Sequence, residues 1–526
     1  MRYRSKYVVP TLAAVVASAG LAVATTSSEA RGGSAAHASA KVASSPGAQL
    51  TVAVPSGITT LNPILNGTGL PNQLFIEPAY ASLITRTATG ALEPGLATSW
   101  SYSDDNKQFH IVLRPHVKFS DGESLTAAGV ADWIMWAKKS NGLFSSFFAD
   151  VSSATATGPL AVTLHLSASD AKYPAIFTQD RLGYVVCPAD LKTPAVLGTS
   201  TCGAGPYVYS ASQSSTGTKY VYTPNPYYWD KSAVHWQKLV VEVLADPNAV
   251  VSAMSSGQVD VAIGSSQDAA AAQAAGLKVT SAPENWDCLA VINRRTGPLS
   301  KVAVRQALEY AVNRTVVTKA IFGKYAQVNT SMIVPGVPGY SASLGSHYKY
   351  DPSKAKALLK AAGYPHGFSF TMMSIDRTGL ENNLAQAVLP YYAKIGVHIK
   401  LDVLPAGSAD LVTGLEKVQW PAFMFFGQVE APNLLAQDQY LPTAGLLNPT
   451  KYVDTGLIQI YNKFNKATGS AAQSAALTQL QNYVDTRAYY IPFSVSDVVY
   501  FYTKNLTGVD VSPGEPILDL YPISAS

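Results

Sequence analysis

Few stretches of this chain set reactive residue types at spacings that chemistry uses. Ser353-Lys354-Ala355-Lys356 spells S-x-x-K, in which a lysine three residues on could activate a serine nucleophile. Its partner motifs S-D-N and K-T-G are absent, and the quartet falls in the first turn of a helix opened by Asp351-Pro352. Neither G-x-S-x-G nor H-E-x-x-H occurs. Gly203-Ala204-Gly205-Pro206-Tyr207 is glycine-rich, yet no helix signal and no Lys-Ser/Thr pair follow it, so it is no phosphate cradle. The eight His are scattered without ligand spacing, which argues against a dedicated metal site. The chain therefore reads as a non-enzyme with no resident cofactor. Of its three cysteines, Cys187 and Cys202 flank a short loop bearing Pro, Thr and Gly, and a bridge there would stabilise by roughly 3 kcal/mol. The count is odd, so the pairing stays open, with Cys288 read as a small buried hydrophobe.

The elements that would position a site must be shared among more than one domain, because 526 residues exceed one hydrophobic core. With 47% hydrophobic and 14% charged residues the composition is that of an ordered globular protein. The 29 Tyr against 16 Phe suit wet clefts and surfaces, since tyrosine joins an apolar body to a polar tip. Arg2, Arg4 and Lys6 precede an apolar run over 8–24 that ends in Ala22-Val23-Ala24, the pattern of a secretory signal with a small-residue cleavage site. An uncleaved anchor is the competing reading, opposed by Pro10 and the marginal length. No Cys lies near that site for lipid attachment, so an exported, cell-envelope or extracellular protein is expected. Removing the three basic residues of 1–24 from the 38 Lys+Arg leaves 35 against 34 Asp+Glu, a net of +1. No basic run or basic–aromatic interleaving appears, so nucleic acid is not expected as a partner.

Residues 25–48 are small, polar and aperiodic, which reads as a flexible leader. Order begins with a strand at 50–54. A helix is expected over 75–83, and the most patterned stretch is 92–134. There Glu93-Pro94-Gly95 bends and a strand starts near 96–100. Ser103-Asp104-Asp105-Asn106 turns, 109–113 alternates as a strand, and 117–119 continues it. Thr126 caps a helix over 127–139. Downstream come a hairpin centred on Gly158-Pro159, a short strand at 184–187, and a helix from Asp246-Pro247 to Gly257. Helices are expected near 300–310, 314–322, 381–395 and 471–486. Strands are expected at 289–293, 368–373, 397–403, 422–426, 490–492 and 498–502. This alternation is α/β.

The motifs of these elements resemble the extracytoplasmic solute-binding proteins of ABC importers, in the dipeptide/oligopeptide/nickel-binding family (family 5). The likeness rests on Pro94-Gly95-Leu96-Ala97 with Trp100, Val117-Lys118-Phe119-Ser120-Asp121-Gly122, Gly205-Pro206-Tyr207 and Asn225-Pro226-Tyr227-Tyr228-Trp229. It continues through Ser256-Gly257-Gln258-Val259-Asp260, Val304-Arg305-Gln306-Ala307-Leu308 with Asn313-Arg314, and Asp351-Pro352 followed by Ala362-Gly363-Tyr364. It runs from about residue 50 to the C-terminus. The resemblance implies an α/β, two-lobed periplasmic-binding-protein-like fold (type II, cluster C) with an extra small subdomain. Lobe I would comprise 49–91, 204–291 and 501–526, the small subdomain 92–203, and lobe II 292–500. Ligand would lie between the lobes, and closure would present a surface to the membrane permease of the importer. A monomer fits the class.

In relatives that take peptides, an Asp four residues before a proline pairs with the ligand's amino terminus. Gln428 stands at that position in Phe425-Phe426-Gly427-Gln428-Val429-Glu430-Ala431-Pro432, a departure, since a desolvated ammonium wants a carboxylate. Glu430, two residues on, is the candidate substitute. Arg377, beside Asp376, matches the place of an arginine that clamps the ligand carboxylate, a task suited to a planar guanidinium. Trp286, Phe425 and Phe426 are candidate stacking surfaces, and Asn66 and Thr68 come from a glycine loop that faces the cleft in this family. A peptide or peptide-like ligand is expected. The alternatives are another solute such as an oligosaccharide or a metal chelate, which the neutral Gln428 favours, an extracellular peptide sensor, and a secreted S-x-x-K hydrolase.

Overall fold

The computed structural model describes residues 49–526 apart from 66–69, 88–89, 141–144, 179–181, 292, 332, 336, 345–346, 377–379, 406–409, 429–431, 443–446 and 513–515. One eleven-stranded sheet forms the backbone of the molecule. At one end Val397–Pro405, Phe368–Asp376 and Ala422–Gln428 run parallel to one another. At the other, Leu50–Val54 is parallel to Leu239–Val243 and Val261–Gly264, and Lys219–Pro224 and Tyr207–Tyr209 extend that edge antiparallel. The Leu50–Val54 strand is buried at every position, as a central parallel strand covered on both faces must be.

The two ends are joined by a pair of long strands. Lys278–Val291 and Tyr490–Tyr502 pair antiparallel over nearly their whole lengths. Residues 499–502 pair with Val261–Gly264, while residues 285–291 pair with Ala422–Gln428. The strand pair thus joins the two ends of the sheet. Register shifts fall between Pro283 and Asn285 and between Asp287 and Cys288, midway along the crossing. Such irregularities bend a ladder locally. The sequence suggested shorter strands at 289–293, 490–492 and 498–502. The structure extends them because the polar residues between satisfy one another across the pair: Ser494 and Ser496 donate to Asp287, and Ser281 donates to Asp497.

Local signals position the remaining elements. The Thr126 hydroxyl accepts from the Gly129 amide and opens Ala127–Lys139, and Asp351 accepts from the Lys354 amide to open Pro352–Ala361. Asn313 does the same for Arg314–Phe322, which ends at Gly323 with φ 63°. The helix expected over 75–83 is shorter: Asn72–Ile76 runs into a 3-10 turn, Glu77–Ala79, and Tyr80 is extended. Pro78 removes an amide, and the next amides bond elsewhere, Leu83 to the Gly183 carbonyl and Ile84 to that of Phe177. The expected bend at 93–95 is instead a short strand, Leu92–Pro94, paired with Ile84–Arg86. Gly95 follows it because a Cβ there would lie 2.5 Å from the Ser82 carbonyl oxygen. Single bridges, Lys118 to Ser124, Tyr184 to Ser82 and Val186 to Gly203, replace the strands expected at 117–119 and 184–187.

A four-stranded antiparallel sheet, Ala97–Tyr102, Gln108–Leu113, Ala161–Leu166 and Val151–Gly158 in spatial order, carries the helix Ala127–Lys139. Its core is continuous with that of Leu50–Val54 through Phe75, Phe109, Trp133 and Phe177. Cys187 and Cys202 are disulfide-bonded with Cα atoms 5.5 Å apart, and Cys288 is free and buried. The turn at Asn106 reaches far across the chain. With φ 53°, a conformation asparagine tolerates, its Nδ2 donates to the carbonyls of Asn465 and Ala467 at 3.0 and 3.1 Å. These close the C-terminal end of the helix Thr455–Lys466, whose Leu457 and Tyr461 belong to the core around Phe423 and Trp420.

Candidate ligand-binding site

Phe368–Asp376 and Val397–Pro405 end opposite each other at Asp376 and Pro405, and the parallel strand Ala422–Gln428, paired with the first at Met372 and Met373, ends at Gln428. In an open α/β sheet the carboxyl ends of parallel strands are where ligands bind, because the loops there diverge to leave a crevice. The crossing strands border this end. Asn285 pairs with Gln428, Trp286 with Gly427, Asp287 with Phe426 and Cys288 with Phe425. Register therefore brings the backbones of Trp286 and Gln428, 142 positions apart in the chain, onto neighbouring strands, and their side chains lie outside the described atoms. Arg377, Glu430, Asn66 and Thr68 lie outside the described residues. Arg377 directly follows the last residue of one of the parallel strands, and Glu430 lies two residues past the end of another.

Phe425 and Phe426 are described, and they part company. Successive strand residues face opposite ways. Phe425 sits 5.1 Å from Phe423 against one core of the lobe, and Phe426 sits 6.1 Å from Phe322 against the other. Each is half-buried. They serve two faces of the strand and do not form one joint platform.

A residue that sequence reasoning passed over lies at the centre of this region. Asp287 is fully buried, and its two carboxyl oxygens accept from the Ser494 and Ser496 hydroxyls at 2.7 and 2.8 Å. Burial pushes its pKa up to about 8. The serine donors pull it back, and the nearby acids Glu381 and Glu284 push the same way as burial. At neutral pH the crossing strands thus carry a largely protonated carboxyl beside Trp286. An aspartate inside the run Trp286-Asp287-Cys288-Leu289-Ala290-Val291 was the available signal.

Two arginines within the family-like motifs have structural employment. Arg305 is buried and donates to the carbonyls of Leu299, Ser300, Arg487 and Ala488. Burial lowers its pKa to about 10. Arg314 donates to the Pro492 carbonyl at 2.6 Å and pairs with the buried Glu309 carboxylate. Both fasten helices to the chain around Tyr490–Tyr502, so these motifs mark the frame of the lobe. The S-x-x-K quartet places Ser353 and Lys356 on the exposed side of Pro352–Ala361.

Residues 91–443 match the family described as bacterial extracellular solute-binding proteins, family 5. The chain belongs to this family. As a member it is the substrate-binding component of an ABC importer. It is 25% identical over 479 residues to the glutathione-binding protein GsiB of Escherichia coli O1:K1 / APEC, a match covering 88% of this chain and 92% of that protein. Among solved structures it is similar to the periplasmic binding protein DppA of Helicobacter pylori in complex with the peptide STSA. There the TM-score is 0.76 at 20% identity, covering 91% of this chain and 98% of that one. It is also similar to NikZ of Campylobacter jejuni in complex with Ni(L-His), with TM-score 0.74 at 21% identity, covering 88% and 96%. Two lobes bridged by crossing strands are thus the fold of this chain. Among the described residues no helix is long and apolar enough to cross a membrane.

Proposed function

We propose that the solute captured by this family member is a peptide or peptide-like molecule, held between the lobes outside the cytoplasmic membrane and handed to the permease without chemical change. The observation that carries the reading is that Ala422–Gln428 joins the parallel strands ending at Asp376 and Pro405 to the crossing strand, which it pairs with through residues 285–291. A ligand there touches both lobe and crossing, so its binding energy favours one arrangement of the lobes over another. The named ligands of the relatives, glutathione, the peptide STSA and nickel-bound histidine, are built from amino acids, and the first two carry free ammonium and carboxylate groups. In this reading Glu430 pairs with the ammonium, Arg377 clamps the carboxylate, and Gln428, Asn66 and Thr68 supply neutral hydrogen bonds. Trp286 and the half-buried Phe425 and Phe426 offer apolar surface. Export through residues 1–24, a monomeric state and the absence of catalysis belong to the same reading. It is supported by the exposed, capped helix that carries Ser353. A sugar or metal chelate is the second reading, favoured by the neutral Gln428.

Native mass spectrometry of the purified protein identifies co-purifying ligand, and calorimetry then compares peptides with free and blocked amino termini. Free-amine peptides are expected to bind, and Glu430→Gln to weaken them more than blocked ones. Equal weakening of both sinks the role given to Glu430, and binding of sugars alone sinks the peptide reading.

A further inference from the structure

The cations of this chain are unevenly placed, although its net charge past residue 24 is close to zero. Between Lys301 and His366 stand nine Lys+Arg against two Asp+Glu. Arg305 and Arg314 are buried, and so is Glu309, which pairs with Arg314. What reaches solvent is seven lysines and one carboxylate, Asp351, whose oxygen accepts the Lys354 amide as a helix cap. The helix Leu380–Lys394 adds an exposed lysine at its end, while its one acid, Glu381, is buried.

These lysines are spread along the chain, and the fold gathers them. Helices Val302–Ala311 and Pro352–Ala361 lie antiparallel: at one end the Asp351 amide donates to the Tyr310 carbonyl at 2.8 Å, and at the other the Lys301 ammonium donates to the Ala362 carbonyl at 2.7 Å. Ala355 and Leu359 turn inward, so Lys356 and Lys360, one turn apart, both face solvent. Like charges at that spacing repel each other, and among the described residues neither has a carboxylate partner. Tyrosine rings stand between the lysines. Lys354 Nζ lies 4.1 Å from the centroid of Tyr310 and donates to its hydroxyl at 2.8 Å. Lys301 lies 5.1 Å from the Tyr364 ring and Lys394 5.2 Å from that of Tyr391. Tyr350, 40% exposed, meets Tyr391 edge-on. An ammonium has three hydrogens, so these contacts orient it and leave it able to meet an anion.

A face of one sign is complemented by a surface of the other, and two observations choose which surface. Every exposed cation between Lys301 and His366 is a lysine, whereas both arginines there are buried. Protein interfaces favour Arg, whose fork pairs with carboxylates at fixed geometry, and are poor in Lys. The diffuse negative potential of a lipid headgroup layer asks for no fixed geometry and attracts each lysine held near it. Tyrosine suits the same layer, with its ring toward the acyl chains and its hydroxyl toward water. We propose that this face docks the protein on the surface of an anionic lipid bilayer. Tyr364 and Lys394 shortly precede the strands Phe368–Asp376 and Val397–Pro405, so that part of the face lies at the amino ends of these strands, opposite the carboxyl ends assigned to the solute. The inference is independent of which solute is bound there.

Residues 45–526 form one compact unit, so the test uses the chain from residue 25, without the apolar run at 8–24 that would itself seek lipid. Cosedimentation with vesicles of phosphatidylcholine containing about one-third phosphatidylglycerol should show binding at low ionic strength, about tenfold or more tighter than to phosphatidylcholine alone. Binding should be lost near about 0.5 M salt, where charges are screened within a few ångströms. Hydrogen–deuterium exchange with the anionic vesicles should gain protection at 349–361. Lys356→Glu combined with Lys360→Glu should weaken binding about tenfold or more, and Tyr350→Ala roughly threefold. The same change of charge at the exposed Lys219 and Lys504, outside this face, should leave it within roughly threefold. Circular dichroism establishes that each protein is folded. No binding of the folded wild type to anionic vesicles would overturn the proposal and return the face to an acidic protein partner. Equal binding to neutral vesicles, unchanged binding by the folded Lys356→Glu/Lys360→Glu protein, or an equal loss in the Lys219/Lys504 variant would also overturn it.

Discussion

Replacing Asp287 with asparagine should change how stability depends on pH by about the amount one buried proton dictates. In the folded protein burial, reinforced by Glu381 and Glu284, raises this carboxyl from its ordinary value of 3.8 to about 8. Between those two values the native state holds a proton that the unfolded chain has released. Stability must therefore fall as pH rises, by about 1.4 kcal/mol per pH unit from this group, or roughly 4 kcal/mol by pH 7. The Asp287→Asn side chain offers Ser494 and Ser496 an amide of the same shape that has nothing to ionise. Urea unfolding of both proteins at pH 5, 6 and 7 measures the difference. The variant should gain about 1.4 kcal/mol on the wild type for each unit of pH. Asp485, also pushed up to about 8 by burial, contributes equally to both proteins and cancels. A difference that stays flat across that range would refute the reasoning, because it would mean that Asp287 is ionised or solvated in the native state.

Other outcomes follow from contacts elsewhere. Asn106→Gly keeps the left-handed turn but deletes two hydrogen bonds to the end of Thr455–Lys466, a loss of about 2 kcal/mol at that contact. If the contact belongs to the ligand-bound arrangement, calorimetry should find affinity lowered roughly 10- to 30-fold, and an unchanged Kd removes the contact from that role. Lys172 is buried between Asp150 and Asp170, so Lys172→Met leaves two carboxylates uncompensated and should cost about 3–5 kcal/mol in chemical unfolding at pH 8. The cost should shrink at pH 5, because Asp170, pushed up to about 6 by burial even with Lys172 present, then takes up a proton. Reduction of the Cys187–Cys202 bridge, which spans 15 positions, should lower stability by about 3 kcal/mol in the same assay.

What the sequence determined by itself is local. Helix starts were legible at Thr126 and Asp351 because a cap acts on amides two or three residues away. Stops were legible at Gly257 and Gly323 because a positive φ favours glycine. The short parallel strands were legible as apolar runs, and the family was legible in turns whose geometry is written in neighbouring residues.

The tertiary structure alone decided what depends on partners distant in sequence. Pro283, Glu284, Asn285 and Asp287, like Ser494, Ser496 and Asp497, read as interruptions of strands. In the fold all seven lie within the two long strands, where Asp287 finds Ser494 and Ser496 and Asp497 finds Ser281. Polar side chains break a strand pattern only while their partners are unknown. For the same reason Phe425 and Phe426 looked alike in sequence, yet the pleat sends one to each core. The bond from the Leu520 amide to the Glu77 carboxylate, 443 positions apart, could be found only when the C-terminal tail was seen to return to the turn at Glu77–Ala79.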